Sequence, residues 1–153
     1  MITAPTIPQL LAAIRDELET AVLPHVDDAA TRVNVQMMQA VLNQLIERSE
    51  HEIAWMFTEM AAIEAAAERL GPGFEDATVD DALTAFRANR AETMQLSAVT
   101  ADYQRACEVL SRLGEAAYAA GDEAAIEVVQ ELLDARLATE NAAIGEFIAV
   151  GRD

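Results

Sequence analysis

Three residues spaced four apart on one predicted helix form the most chemically suggestive group in this sequence. Glu47, His51 and Trp55 place a carboxylate, an imidazole and an indole along one helical edge. Imidazole titrates near neutral pH and indole offers a flat apolar face, so one interpretation is a pH-sensitive or ligand-contacting edge. The other interpretation is a surface ion pair beside a packing tryptophan. The spacing favours the second, because such pairs are common on helices.

Four charged residues fall within or close to predicted apolar stripes. Glu140 follows Arg136 by one turn in the last predicted helix, and Arg87 and Arg90 lie near the apolar face of an earlier helix. Buried charge is costly unless it is paired, so we expect interhelical ion pairs that fix the helix register. The alternative is a pocket in which these residues bind an anion or a partner.

The sequence offers no set of residues for the familiar catalytic and metal sites. A dinuclear carboxylate site in a four-helix bundle requires Glu-x-x-His motifs, whereas Val22 and Arg48 stand three positions before His25 and His51. Cys107 has no histidine nearby in sequence and lies on a helical seam, which favours a buried, unreactive thiol. We therefore predict no catalytic residue, metal or cofactor and expect a non-catalytic protein, with an independent enzyme as the third alternative.

The net charge restricts the classes of partner. The 153 residues include 27 acidic and 10 basic ones, which gives a net charge of −17. Such a chain repels phosphate backbones and anionic membrane surfaces, so we expect neither nucleic acid nor membrane as a partner. The single cysteine allows no intrachain disulfide, and neither a leader nor an apolar run of about 20 residues is apparent. These features predict a cytoplasmic protein.

Hydrophobic spacing predicts two helices in the first half of the chain. The first begins near Thr6 and Pro8, where a cap and a first-turn proline are favourable, and it ends at Pro24. Asp27 and Asp28 then supply a cap for a second helix. That helix runs without proline or glycine over about Ala29–Leu70. Its back face is more apolar than a solvent face usually is, with Val33, Met37, Ala40, Gln44, His51, Trp55 and Ala62.

Two further helices are predicted in the second half. The third covers about Val79–Leu113 and ends at either Gly114 or Gly121, and Asp122 caps the fourth. The apolar stripe of the fourth helix comprises Ile126, Val129, Leu133, Leu137, Ile144, Phe147 and Ile148. The sequence thus predicts an all-α, single-domain protein over residues 1–153. The predicted architecture is a four-helix up-down bundle with one long central helix, with completion of the bundle by dimerisation as the alternative.

Both ends of the sequence carry a leucine-rich pattern with a few polar positions. The opening pattern is Pro5-Thr6, Leu10-Leu11-Ala12-Ala13-Ile14, Leu18, Val22-Leu23-Pro24 and Arg32-Val33, and the closing one is Leu132-Leu133, Arg136-Leu137-Ala138 and Asn141. These patterns resemble a bacterial family of uncharacterised helical domains encoded beside, or fused to, aminoglycoside-phosphotransferase-like kinases. Asp27, Asp28 and Ala29 depart from the glycine and aromatic residue expected after the Leu-Pro step. The resemblance implies an accessory role beside a kinase-like enzyme of acyl or lipid metabolism, with no catalytic residues to carry over.

Two functional hypotheses follow from the sequence. The leading one is a non-catalytic helical interaction protein that forms a homo-oligomer and serves a phosphotransferase-like partner enzyme. The alternative is a helical bundle that binds an acyl or other apolar small molecule between alanine-lined helices, where small side chains leave room.

Overall fold

The computed structural model describes residues 4–74 and 77–144, and these residues are all-α. They form five α-helices and no strand: α1 is Ile7–Glu17, α2 is Ala29–Leu70, α3 is Thr78–Ala88, α4 is Leu96–Ala120 and α5 is Glu123–Ile144. The all-α class and the long second helix are thereby confirmed. None of the helices in these ranges is long and apolar enough to cross a bilayer. Phe147 and Ile148, predicted for the last apolar stripe, lie outside the described residues.

The predicted caps of the first two helices are present. The Thr6 hydroxyl accepts a hydrogen bond from the backbone N–H of Gln9, and the Gln9 side chain accepts one from the N–H of Thr6 at 2.8 Å. Asp28 Oδ2 accepts bonds of 2.7 Å from both the hydroxyl and the backbone N–H of Thr31, which lower the pKa of Asp28. Each cap satisfies backbone donors that the first turn of a helix leaves unpaired.

The prediction of one continuous third helix over Val79–Leu113 is wrong. The chain leaves the helical path over residues 89–95, between α3 and α4. The buried carboxylate of Asp102 accepts a hydrogen bond of 3.0 Å from the backbone N–H of Ala91, and Arg105 donates to the carbonyl of Asn89 at 2.7 Å. Side chains of α4 thus satisfy backbone groups that a continuous helix would have paired internally. The described residues therefore form five helices instead of four.

The end of α4 resolves the two alternatives left by the sequence. Gly114 lies inside the helix, whereas Gly121 follows its last residue with a φ of 64°, the left-handed conformation that favours glycine. Asp122 Oδ1 then accepts hydrogen bonds of 3.1 Å from the backbone N–H groups of Ala124 and Ala125. The predicted cap of the last helix is confirmed.

The chain groups into two compact units. The second unit, Ile53–Thr139, contains the main hydrophobic core, to which the end of α2, α3, α4 and the start of α5 all contribute. Its largest fully buried side chains are Phe86, Met60, Ile63, Leu113, Val79, Val99 and Val109. Full burial of one such side chain contributes about 1.5–3 kcal/mol. Apolar burial therefore accounts for most of the driving force for folding this unit.

The first unit comprises Met1–Glu52 with Glu140–Asp153, and its described residues bury little. Among these described residues only Val35 is buried, at 7% exposure. Polar contacts also join its helices, because Arg15 donates to the Asn43 side chain at 3.0 Å and Gln44 donates to the carbonyl of Ile144 at 3.2 Å. Most of the apolar side chains on α1 and on the start of α2 therefore remain accessible.

Candidate interaction surface

An accessible apolar surface covers α1 and the first half of α2. Its large aliphatic residues are 36–65% exposed, and we call them the N-terminal apolar surface: Ile7, Leu10, Ile14, Val33, Met37, Met38, Val41 and Leu45. The exposed fractions of these eight residues add up to about four fully exposed residues. At roughly 150–200 Å² for each, their accessible area is on the order of 600–800 Å². The largest apolar patch on a typical soluble monomer is about 300–600 Å². The summed exposed area of these eight residues is therefore comparable to or larger than such a patch.

Each helix contributes an ordered row to the N-terminal apolar surface. On α1, Ile7, Leu10 and Ile14 recur at three- and four-residue spacing, while Leu11 and Leu18 beside them are half-buried. On α2, Val33, Met37, Val41 and Leu45 recur every four residues and form a ridge. At 1.5 Å rise per residue this ridge is about 18 Å long. The surface is thus a regular helical face and not a scatter of single exposed side chains.

The start of α2 is almost free of charge. Residues 29–46 contain one charged side chain, Arg32, although the whole chain carries 27 acidic and 10 basic residues. The polar residues of this stretch are threonine, asparagine and glutamine, whose uncharged groups are cheaper to desolvate than carboxylates. Depletion of charge is the compositional mark of the buried centre of a protein interface. The pattern therefore favours contact with protein over contact with water.

The Glu47, His51 and Trp55 edge lies further along α2. His51 Nε2 stands 3.8 Å from Glu47 Oε2, with both side chains about half exposed, and Trp55 one turn on is half-buried. A distance of 3.8 Å exceeds that of a hydrogen bond, and exposed pairs of this kind contribute little even when both partners are charged.

Arg87 and Arg90 meet on one acidic residue of α2. Glu64 Oε1 lies 2.7 Å from Arg87 Nε, and Glu64 Oε2 lies 2.8 Å from Arg90 Nη2. Arg87 also pairs with Glu68, and hydrogen bonds to Glu64 and Glu68 raise the pKa of Arg87. The Arg90 guanidinium stacks 4.6 Å from the centre of the Phe86 ring. This cluster joins α3 and the residues that follow it to α2, and both carboxylate oxygens of Glu64 accept within it.

Arg136 takes part in a separate, less exposed cluster in the second unit. Its Nε donates to Glu59 Oε1 at 2.5 Å, and the Tyr103 hydroxyl donates to Glu59 Oε2 at 2.7 Å. Arg136 also donates to Cys107 Sγ at 3.1 Å, so the thiol is half-buried beside a guanidinium and not enclosed in an apolar seam. Burial, followed by the hydrogen bond to Glu59, raises the pKa of Tyr103. The cluster links α2, α4 and α5.

Three of the four charged residues form ion pairs with α2, as predicted, but in two separate clusters, so the four do not meet in one network. Arg87 and Arg90 share Glu64, and Arg136 pairs with Glu59. Glu140 is exposed and has no ion pair among the described residues.

Sequence reasoning missed the acidic partners, although a signal for them exists. Glu64 follows Met60 by one turn and precedes Ala67 by three residues, which places a carboxylate inside the buried stripe of α2. Glu59 likewise precedes the buried Ile63 by one turn. An acidic residue within an apolar stripe is costly unless paired, and each therefore indicated a cationic partner.

The described residues contain no group of three or more histidine, cysteine, aspartate or glutamate side chains placed to hold a metal ion. A surface groove of about 470 Å³ lies in the second unit and is lined by Gly73, Phe74, Thr78, Arg112, Glu115, Ala116, Ala119 and Ala120. Arg112 is already paired with Glu108 and Glu115.

No protein-family model, curated protein or solved structure matches this chain.

Proposed function

We propose that this chain is a non-catalytic helical interaction protein that binds other protein through the N-terminal apolar surface. The carrying observation is that five exposed aliphatic residues lie within an 18-residue stretch of α2 that has one charge, with three more exposed on α1. Exposed apolar patches of this size mark protein interaction sites, and depletion of charge is typical of the buried centre of an interface.

A phosphotransferase-like enzyme of acyl-CoA or lipid metabolism is the proposed client. The resemblance of both ends of the sequence to domains encoded beside such kinases supports this class of partner. The opening pattern of that resemblance includes Leu10, Ile14 and Val33, which belong to the N-terminal apolar surface.

The proposal is tested by asking whether the surface mediates any protein complex. A Met37→Glu/Val41→Glu variant places two carboxylates on the ridge, and Tyr118→Glu is the matched control because Tyr118 is 60% exposed on α4 in the other unit. The readouts are self-association of the purified chain and its binding, by calorimetry, to a purified phosphotransferase-like enzyme of the class that the resemblance implies. We expect the double variant to lose complexes that the wild type and Tyr118→Glu both form. Absence of any complex of the wild type, or retention by the double variant, contradicts the proposal.

The groove of the second unit favours a second candidate function, the binding of an apolar small molecule. Its volume of about 470 Å³ lies within the range of about 300–1,000 Å³ typical of ligand pockets, and three alanines and Phe74 line it. Displacement of a fluorescent fatty-acid probe by acyl chains tests this function. Binding should be lost in Ala119→Trp, whose side chain would fill the groove, and kept in Tyr118→Glu. Equal binding by Ala119→Trp and the wild type rules out the groove.

A further inference from the structure

We infer that a second copy of this chain covers the N-terminal apolar surface and forms a two-fold symmetric dimer. The inference rests on the proposed function, because it names a second copy as the protein that covers the same surface; the phosphotransferase-like enzyme would then bind this surface in competition with the dimer.

Charge is the first argument for a second copy. Each chain carries a net charge of −17, so two copies repel one another over most of their surfaces. Residues 29–46 have no acidic side chain, and here two copies can approach without placing carboxylates face to face. A basic partner protein would instead be attracted to the acidic surface elsewhere on the chain. A face without carboxylates is therefore the one suited to self-association.

Area is the second argument. The N-terminal apolar surface offers on the order of 600–800 Å², and a standard interface buries about 800 Å² on each partner. Interfaces of homodimers are also more apolar than those between transient partners, in keeping with a surface composed of valine, leucine, isoleucine and methionine. One copy of the surface therefore supplies nearly the area that a stable dimer requires.

The helical geometry is the third argument. The described part of the first unit comprises α1, the first half of α2 and the last residues of α5, and among these residues only Val35 is buried. So few helical segments do not surround a core, whereas the same segments from two copies supply enough helices for a bundle. The ridge of Val33, Met37, Val41 and Leu45 has four-residue spacing, and ridges of this spacing on two helices interdigitate. A two-fold axis brings the same ridge from each copy together, as a symmetric interface requires.

The test measures the mass of the full chain in solution. Sedimentation equilibrium between about 1 and 200 µM covers dissociation constants near 10 µM. We expect the wild type and Tyr118→Glu to be dimeric within this range, and Met37→Glu/Val41→Glu to bind itself at least about 100-fold more weakly, because like charges face one another across the interface. Circular dichroism should show equal helix content in all three proteins.

A charge-complementation experiment guards against a variant that merely folds poorly. Met37→Glu/Val41→Glu and Met37→Lys/Val41→Lys should each be monomeric alone and should form a heterodimer when mixed. A heterodimer supports the inference, since only folded chains with facing ridges can complement one another.

The outcomes separate the inference from the proposed function. A wild type that is monomeric throughout the range, or a double-glutamate variant that stays dimeric, overturns the second copy as partner. If the monomeric wild type still binds the phosphotransferase-like enzyme and the double variant does not, the proposed function survives alone. If neither complex forms, both fail.

Discussion

Replacement of Arg136 by methionine should destabilise the second unit by a large and predictable amount. Arg136 supplies the cationic donor to Glu59, whose side chain is 16% exposed, and its own side chain is 24% exposed. A hydrogen bond to a charged group contributes about 1.5–3 kcal/mol, and truncation of one partner leaves the other charge poorly solvated. Methionine retains the apolar part of the side chain. We therefore expect Arg136→Met to lower the free energy of unfolding by about 2–3 kcal/mol.

A second variant identifies the physical cause of that loss. In Glu59→Gln/Arg136→Met no charge is left without its partner, and the Tyr103 hydroxyl, which donates to Glu59 at 2.7 Å in the wild type, can still donate to the amide carbonyl of the new side chain. Removal of both charges of a partly buried pair is often close to neutral. The double variant should therefore recover most of the stability that Arg136→Met loses.

Urea unfolding followed by circular dichroism measures both effects. All variants must be compared at one protein concentration, because self-association would make the midpoint concentration-dependent. Arg112→Met is the control, since Arg112 pairs with Glu108 at 2.8 Å and Glu115 at 2.9 Å on the exposed side of α4. Surface pairs of this kind contribute little, so its midpoint should stay close to that of the wild type.

Two results would refute this account of the cluster. The first is an Arg136→Met midpoint as close to the wild type as that of Arg112→Met, which would make the pair energetically equivalent to a surface pair. The second is a Glu59→Gln/Arg136→Met protein as unstable as Arg136→Met, which would attribute the loss to packing instead of to an unpaired charge.

Other changes test the remaining elements of the fold. Asp102→Ala should cost about 2–3 kcal/mol in urea unfolding, because the buried carboxylate accepts from a backbone N–H between α3 and α4; a loss below about 1 kcal/mol would contradict this role. Gly121→Ala should cost about 1 kcal/mol because φ is 64°, whereas Gly114→Ala should add about 0.5–1 kcal/mol, since a Cβ there would lie an ordinary 3.6 Å from Val129 Cγ1; thermal unfolding should shift in opposite directions for the two. Burial raises the pKa of Tyr103 above the ordinary phenol value of about 10, because the folded protein disfavours the charged phenolate. The free energy of unfolding should therefore be unaffected by this group below about pH 10 and should fall as the pH rises further. Urea midpoints measured from pH 8 to above pH 10 should fall less in Tyr103→Phe than in the wild type, and equal falls would contradict the assignment.

Local signals in the sequence were sufficient to predict the helix class and several helix ends. Thr6, Asp28 and Asp122 cap helices as predicted, and the long second helix runs over Ala29–Leu70 as its uninterrupted apolar spacing indicates. These features depend on groups within about four residues of one another, because capping and helical periodicity act over one turn. The sequence also predicted an apolar back face of α2, and two of its residues, Val33 and Met37, belong to the N-terminal apolar surface.

Only the tertiary structure decided the break in the third helix and the charge partners. Residues 89–95 contain neither proline nor glycine, and the bonds that hold the break come from Asp102, 11 residues after Ala91, and from Arg105, 16 residues after Asn89. Arg136 and Glu59 are 77 residues apart in sequence. Helical spacing places a side chain on a face but does not say which helix that face meets. Contacts between distant helices depend on how the whole unit packs, and no single segment of the sequence encodes that arrangement.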